Sequence, residues 1–281
     1  MSVKGKLIGG ILGSMLGGPF GAVLGVAIGH TFDRDKNRQE DREYQYRQTA
    51  GRPGPDFNLG QAQMTFFVAT FSMLGKMANA DGQISDSERN TVLRFMSDDL
   101  RLSRQDQDFA LRIFDTAAVS AESFEKFAEQ FYQYFCGQPQ MIEMMMDILV
   151  RVALADGTLS DQENRFIAQA AVCMRYPAGN VDYLKTKYGY RQNQGGSYNS
   201  YSSGSSSGAD SGSLAAAYSV LGCSASDSDD VIKAKYKKLI KEFHPDVIAS
   251  KGLPEEFMKF ATEKFDQIQK AYEAIKKVRN L

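Results

Sequence analysis

The distribution of apolar and charged side chains divides the chain into five stretches. No charged side chain occurs from Leu7 to Gly29, whereas from Phe57 onward apolar residues recur at the spacing of amphipathic helices, and this spacing returns after residue 214. No alternation typical of strands interrupts the helical spacing, so the sequence predicts an all-α protein. We place the five segments at residues 1–30, 31–55, 56–190, 191–213 and 214–281.

The uncharged N-terminal run predicts a transmembrane helix. Its 23 residues would extend ~35 Å as a helix, against a hydrocarbon core of ~30 Å. The run is too long for the apolar region of a signal peptide, and no small-x-small cleavage site ends it. The excess of Lys and Arg after the run favours a single pass with the C-terminal side in the cytoplasm. Pro19 and two glycine doublets leave open a kinked or re-entrant shape.

Glycine occurs at every fourth position through this run, which gives a helix one strip of bare backbone. In lipid, close backbone packing is a main source of helix association. We therefore expect contact with membrane lipid and a homodimer formed through the strip; the alternative is a span that is merely rich in glycine. The strip comprises Gly5, Gly9, Gly13, Gly17, Gly21, Gly25 and Gly29.

The central segment contains an internal repeat. Ala80 to Glu88 and Ala155 to Glu163 share the pattern A-D-G-x-[I/L]-S-D-x-E at a distance of 75 residues, which predicts two related helical halves. Each copy reads as an Asp-Gly turn followed by a Ser-x-x-Glu capping box that starts the next helix. A calcium loop is the weaker alternative, because its first ligand positions lack carboxylates. The repeat resembles the TerB-like domains linked to tellurite resistance and envelope stress.

A cluster of aromatic and methionine residues follows in the same segment. Methionine adapts its shape, so a pocket for a client peptide is one interpretation. Large apolar side chains are most often buried, so we favour ordinary core packing. The residues are Phe124, Phe127, Phe131, Tyr134, Phe135, Met141, Met144, Met145 and Met146.

Residues 192–213 consist almost entirely of Gly, Ser, Asn and Tyr, which predicts a flexible tether. The whole chain has two histidines and three widely separated cysteines, Cys136, Cys173 and Cys223. This composition supports no zinc site, disulfide framework or catalytic triad. We expect no bound metal and no cofactor. The remaining enzyme hypothesis is a metal-dependent carboxylate cluster of Asp81, Asp86, Asp156 and Asp161.

The C-terminal segment predicts three helices, at Leu214 to Leu221, at Val231 to about Phe243, and from Pro254 towards Val278. The second helix carries one apolar face and one basic face. The simplest interpretation of the lysines on the basic face is a solvated helix surface. With 12 basic and 10 acidic side chains the segment has too little positive charge to indicate a nucleic-acid partner. The basic face contains Lys233, Lys237, Lys238 and Lys241.

Four features of this segment occur together in order: Tyr218-x-x-Leu221-Gly222, the basic helix, the tripeptide His244-Pro245-Asp246, and the stretch from Gln269 to Ile275. In this combination the segment resembles a J-domain. The resemblance implies that the chain is not itself an enzyme, and that the tripeptide triggers ATP hydrolysis by a DnaK-type chaperone while the basic face docks on its acidic surface. The implied chaperone-binding residues are His244, Pro245, Asp246, Lys233, Tyr236, Lys237, Lys238 and Lys241.

The order of the segments resembles the DjlA family of bacterial inner-membrane co-chaperones. This resemblance implies a membrane-anchored co-chaperone that recruits a cytosolic DnaK-type chaperone to the membrane. The alternative is an envelope-stress sensor or scaffold, in which the TerB-like domain is the main actor and the J-domain an accessory output.

Overall fold

The computed structural model describes residues 17–32, 55–190 and 208–279, and within 29–32, 55–59 and 208–213 it describes the backbone alone. All regular secondary structure in the described residues is helical, which confirms the all-α prediction. The helices are α1 (Gly18–Phe32), α2 (Pro55–Ala78), α3 (Asp86–Arg94), α4 (Arg104–Ala118), α5 (Phe124–Phe135), α6 (Pro139–Ala153), α7 (Asp161–Cys173), α8 (Ala178–Lys187), α9 (Gly208–Val220), α10 (Asp229–Glu242), α11 (Pro245–Ser250) and α12 (Met258–Arg279).

The sequence repeat corresponds to two helix-turn-helix units, α2–α3 and α6–α7. The first helix ends at Ala78 in one unit and at Ala153 in the other, and the second helix starts at Asp86 and Asp161. Both pairs of positions are 75 residues apart in the sequence. Equivalent positions also meet in space, because Thr70 Oγ1 lies 3.9 Å from Met145 Sδ, 75 residues away. The prediction of two related helical halves is confirmed.

Both predicted capping boxes are formed. The Ser85 hydroxyl accepts the Glu88 N–H at 3.2 Å, and the Glu88 carboxylate accepts the Ser85 N–H at 2.8 Å. Ser160 and Glu163 make the same pair of bonds at 3.2 and 2.9 Å. The turns before them contain Gly82 at φ +90° and its counterpart 75 residues later at φ +83°, a left-handed conformation that favours glycine.

The core of the central domain forms where α2 crosses α4 and α5. At Gly75 the helices approach so closely that a Cβ atom would collide with the Phe114 carbonyl oxygen. The ring of Phe66 meets the rings of Phe131 and Phe135 edge to face, at centroid distances of 5.8 and 6.2 Å. Of the nine aromatic and methionine residues singled out above, all but Tyr134 are buried. The interpretation of this cluster as core is confirmed.

Helix α1 begins at Gly18, where two consecutive residues have positive φ, +60° at Gly17 and +52° at Gly18. Gln130 holds this start, because its side chain donates to the Gly17 carbonyl at 2.9 Å and accepts the Phe20 N–H at 3.0 Å. One face of α1 packs on α2, α4 and α5 and buries Phe20, together with three smaller apolar residues and Gly21. Residues 7–16 of the predicted span lie outside the described residues. Among the helices described, none is both long and apolar enough to cross a bilayer.

The C-terminal helices differ from their predicted bounds in three ways. Helix α9 begins at Gly208, six residues before the predicted start, and a short helix not foreseen, α11, follows α10 after only two residues. Pro254 is followed by a single 3₁₀ turn, and α12 begins at Met258. The predicted pairing of the long helices is present, with Tyr236 and Tyr272 stacked at 3.9 Å.

We expect the capping box of α3 to contribute measurably to stability. Replacing Ser85 by Ala removes the acceptor for an otherwise unpaired helix N–H and should lower the free energy of unfolding by ~1 kcal/mol. Chemical denaturation followed by circular dichroism measures this change. Ser87→Ala is the matched control, because Ser87 is exposed in the first turn of the same helix and alanine there should leave stability unchanged or slightly higher. Equal losses from both substitutions would contradict the assignment.

Candidate functional site

The tripeptide His244-Pro245-Asp246 forms a corner between two helices. Helix α10 ends at Glu242, Phe243 is buried, and His244 serves as the N-cap of α11 with an extended ψ of 132°. Proline disfavours helical geometry at the preceding residue and is favoured at the first position of a helix. Pro245 therefore ends one helix and starts the next.

Two contacts orient the imidazole. His244 Nδ1 accepts the Asp246 N–H at 3.3 Å, and the imidazole meets the Phe265 ring edge to face at 5.6 Å. A ring nitrogen that accepts a hydrogen bond carries no proton, so in the neutral ring Nε2 is the donor. The His244 side chain is 49% exposed and that of Asp246 is 92% exposed. The corner therefore presents an N–H donor and a carboxylate acceptor to solvent.

The basic face of α10 lies beside this corner. Lys237, Lys238 and Lys241 are exposed, and Lys233 is half-buried. Lys238 Nζ lies 3.9 Å from Glu242 Oε1. Within the described part of the chain, no carboxylate forms an ion pair with the other three lysines of this face. Tyr236, also predicted to bind the chaperone, stacks on Tyr272 and so uses one face of its ring for packing.

Two residues that hold the J-domain helices in place carry little signal in the sequence. Phe265 lies on α12 and contacts the His244 ring, but helical spacing carries no signal of this contact. Arg279, in the last turn of α12, donates to the Tyr218 hydroxyl at 2.6 Å and to Asp229 at 2.9 Å. It also donates to two carbonyl oxygens of the α9–α10 loop. Its position at a helix C-terminus was a weak signal, and its partners are set by the tertiary structure.

The predicted glycine strip is described only in its second half. Gly5, Gly9 and Gly13 lie outside the described residues. Gly17 has the left-handed backbone that precedes α1, and the remaining three lie within α1. There Gly21 is buried and Gly25 half-buried, whereas only the backbone is described at Gly29.

The carboxylates considered for metal binding do not form a site in the described residues, where no three side chains of His, Cys, Asp or Glu converge as metal ligands. Asp81 accepts the Gln83 N–H at 3.1 Å, and Asp156 accepts the Thr158 N–H at 2.9 Å. Asp86 and Asp161 are each the first residue of a helix. The four residues act in the turns and helix starts of the repeat.

Comparison with known proteins agrees with this division of the chain. Three family models match in order: the co-chaperone DjlA transmembrane domain at residues 1–47, the tellurite resistance protein TerB at 67–185, and the DnaJ domain at 216–280. The first match indicates a membrane-anchored protein. No solved structure matches the chain.

Several curated co-chaperone proteins DjlA are similar over most of their length. That of Coxiella burnetii is 33% identical over 78% of this chain and 79% of its own. That of Aliivibrio fischeri is 31% identical over the whole of both chains, and that of Escherichia coli 30% identical over 78% of this chain and 81% of its own. The chain belongs to the DjlA family of co-chaperones, with a J-domain at its C-terminus.

Proposed function

We propose that this chain stimulates ATP hydrolysis by a DnaK-type chaperone and recruits that chaperone to the cytoplasmic side of a membrane. The observation that carries the proposal is the exposed corner at His244 and Asp246, directly beside the basic face of α10. The chain supplies binding groups in this scheme, and the hydrolysis takes place in the partner.

The two parts of the site have different tasks. Lys237 and Lys241 attract an acidic surface before contact and so raise the rate of association. Within the complex, the Asp246 carboxylate accepts hydrogen bonds and His244 Nε2–H donates one. Because Pro245 fixes the backbone, little conformational entropy is lost when these groups bind, which favours affinity.

Replacing His244 by Gln tests the corner. Glutamine retains a polar side chain but loses the rigid ring held by Phe265, so stimulation of the chaperone's ATPase should fall at least ~10-fold, as for other anchor residues of an interface. Single-turnover ATPase assays with purified DnaK-type chaperone measure this. Lys277→Gln, on the exposed end of α12, is the control and should retain stimulation. Full stimulation by the His244 variant would exclude the proposed role.

Neutralising the basic face should lower the rate at which the chain associates with the chaperone. We expect Lys237→Gln combined with Lys241→Gln to slow chaperone binding several-fold at low salt, and the difference should shrink at high salt because ions screen exposed charges. Stopped-flow binding at two ionic strengths measures both effects. Lys276→Gln, an exposed lysine on α12, is the matched control. A rate difference independent of salt would argue against electrostatic steering.

The N-terminal segment supplies the anchor in this proposal. Its support is the family match at residues 1–47 and the excess of Lys and Arg after the uncharged run, which favours an outward N-terminus. The second half of that run, α1, packs on the helical domain. We also propose contact with lipid and homodimerisation through the glycine strip. Gly21 is buried against the chain's own helical domain, so the proposed contact uses other positions of the strip.

A pair of glycine substitutions separates the strip from general glycine content. Gly9→Leu places a bulky side chain on the strip and should at least halve energy transfer between labelled chains in lipid vesicles, because the helices can no longer approach closely. Gly10→Leu makes the same change off the strip and should leave energy transfer near the unaltered level. Equal effects at both positions would contradict dimerisation through the strip.

A further inference from the structure

Helix α6 is buried over most of its surface but carries a polar stripe. Its apolar residues from Met141 to Val150 are all buried. Among them, polar side chains recur at intervals of three and four residues, which places them on one face of the helix. The stripe consists of Gln140, Glu143, Asp147 and Arg151.

Three of these four side chains bond to the J-domain. Gln140 Oε1 accepts from Lys251 Nζ at 2.7 Å, and Glu143 accepts from Lys264 Nζ at 2.5 Å. Arg151 donates to Glu263 at 3.0 Å and also to Asp99 of the central domain at 2.5 Å. Asp147 is the exception, because its partners Lys187 and Tyr188 belong to the central domain.

Aromatic contacts flank the stripe. Phe257 and Phe260, from the loop and helix that follow α11, are fully buried. The Phe257 ring meets Phe66 edge to face at 5.2 Å, and the Phe260 ring lies 6.0 Å from that of Phe95. The Arg151 guanidinium lies 5.0 Å from the Phe260 ring. Aromatic pairs of this kind stabilise the contact beyond the apolar area they bury.

The fit of the two domains is close at Gly252. A Cβ atom there would collide with the Cβ of Ala62 on α2, and the backbone has φ +95°. Both the contact and the conformation require glycine at this point of the loop.

The charges across this surface are matched. Lys264 is almost completely buried; burial lowers the pKa of its ammonium, but the adjacent Glu143 carboxylate, together with Asp147 and Tyr183, raises the pKa overall. Lys264 therefore stays charged and needs its partner, because a buried charge without one is strongly destabilising. On the opposite edge, Asp99 accepts from both Arg151 and Lys259.

From these contacts we infer that the polar stripe of α6, with Phe66, Phe95 and Ala62, is a specific docking surface for the chain's own J-domain. Docking uses the α11–α12 side of the J-domain, whereas Lys237, Lys241 and Asp246 remain exposed in the same structure. The central domain thus holds the J-domain with its chaperone-facing side towards solvent. Both domains belong to one chain, so docking is intramolecular, which favours it over dissociation.

Charge reversal across the surface tests this inference in the full chain. Glu143→Lys and Lys264→Glu each place like charges together, so amides in residues 139–153 and 251–264 should exchange with deuterium at least ~10-fold faster. The double variant restores opposite charges and should bring exchange back to within ~3-fold of the unaltered chain. Glu129→Lys makes the same charge change at an exposed position on α5 and should have no such effect. The test measures hydrogen exchange, so its outcome does not depend on whether the chain stimulates the ATPase of a chaperone.

A second variant covers the case in which a reversed charge disturbs folding. Ala62→Leu alters no charge but adds bulk against Gly252, and it should speed exchange in residues 251–264 while helix α4 keeps its protection. The inference is overturned if the single charge reversals leave exchange unchanged, if the double variant shows no recovery, or if Ala62→Leu has no effect on residues 251–264.

Discussion

The arrangement of the molecule depends on how helix α6 satisfies its polar side chains. The helix is surrounded on nearly all sides, and buried polar groups without partners cost ~1–3 kcal/mol each, with charged groups costing more. Glu143 and Arg151 meet this requirement with Lys264 and Glu263, which belong to a different part of the chain. Folding of the central domain and placement of the J-domain are therefore linked through one helix.

The corner at His244 is a separate consequence of local geometry. Proline at position 245 stops α10 and starts α11 within two residues, so the imidazole and the Asp246 carboxylate must project where the chain turns. Phe265 then fixes the imidazole from α12. The recognition groups are exposed, yet they are held by packing beneath them, an arrangement that suits rapid binding of a partner.

The lysines of the J-domain differ in what surrounds them. Lys237, Lys238 and Lys241 on α10 face water, where an ion pair gives little stability but the electrostatic field of the charges can still guide association. Lys264 is buried, so its positive charge is tolerated only because the Glu143 carboxylate lies beside it. Lys235 shows a third outcome, because it bonds to the Gly222 carbonyl and to Asp227 and closes the loop before α10.

Local patterns in the sequence determined the helical class, the repeat with its Ser-x-x-Glu caps, the aromatic and methionine core, and the corner at Pro245. Each of these follows from residues within a few positions of one another or from a regular period, so each can be recognised without knowledge of the fold. Tertiary structure alone decided which residue meets Lys264, why Gly252 must be glycine, and where Phe265 places His244. Those outcomes join residues far apart in the chain, such as Glu143 and Lys264 at a separation of 121, and only packing brings them together.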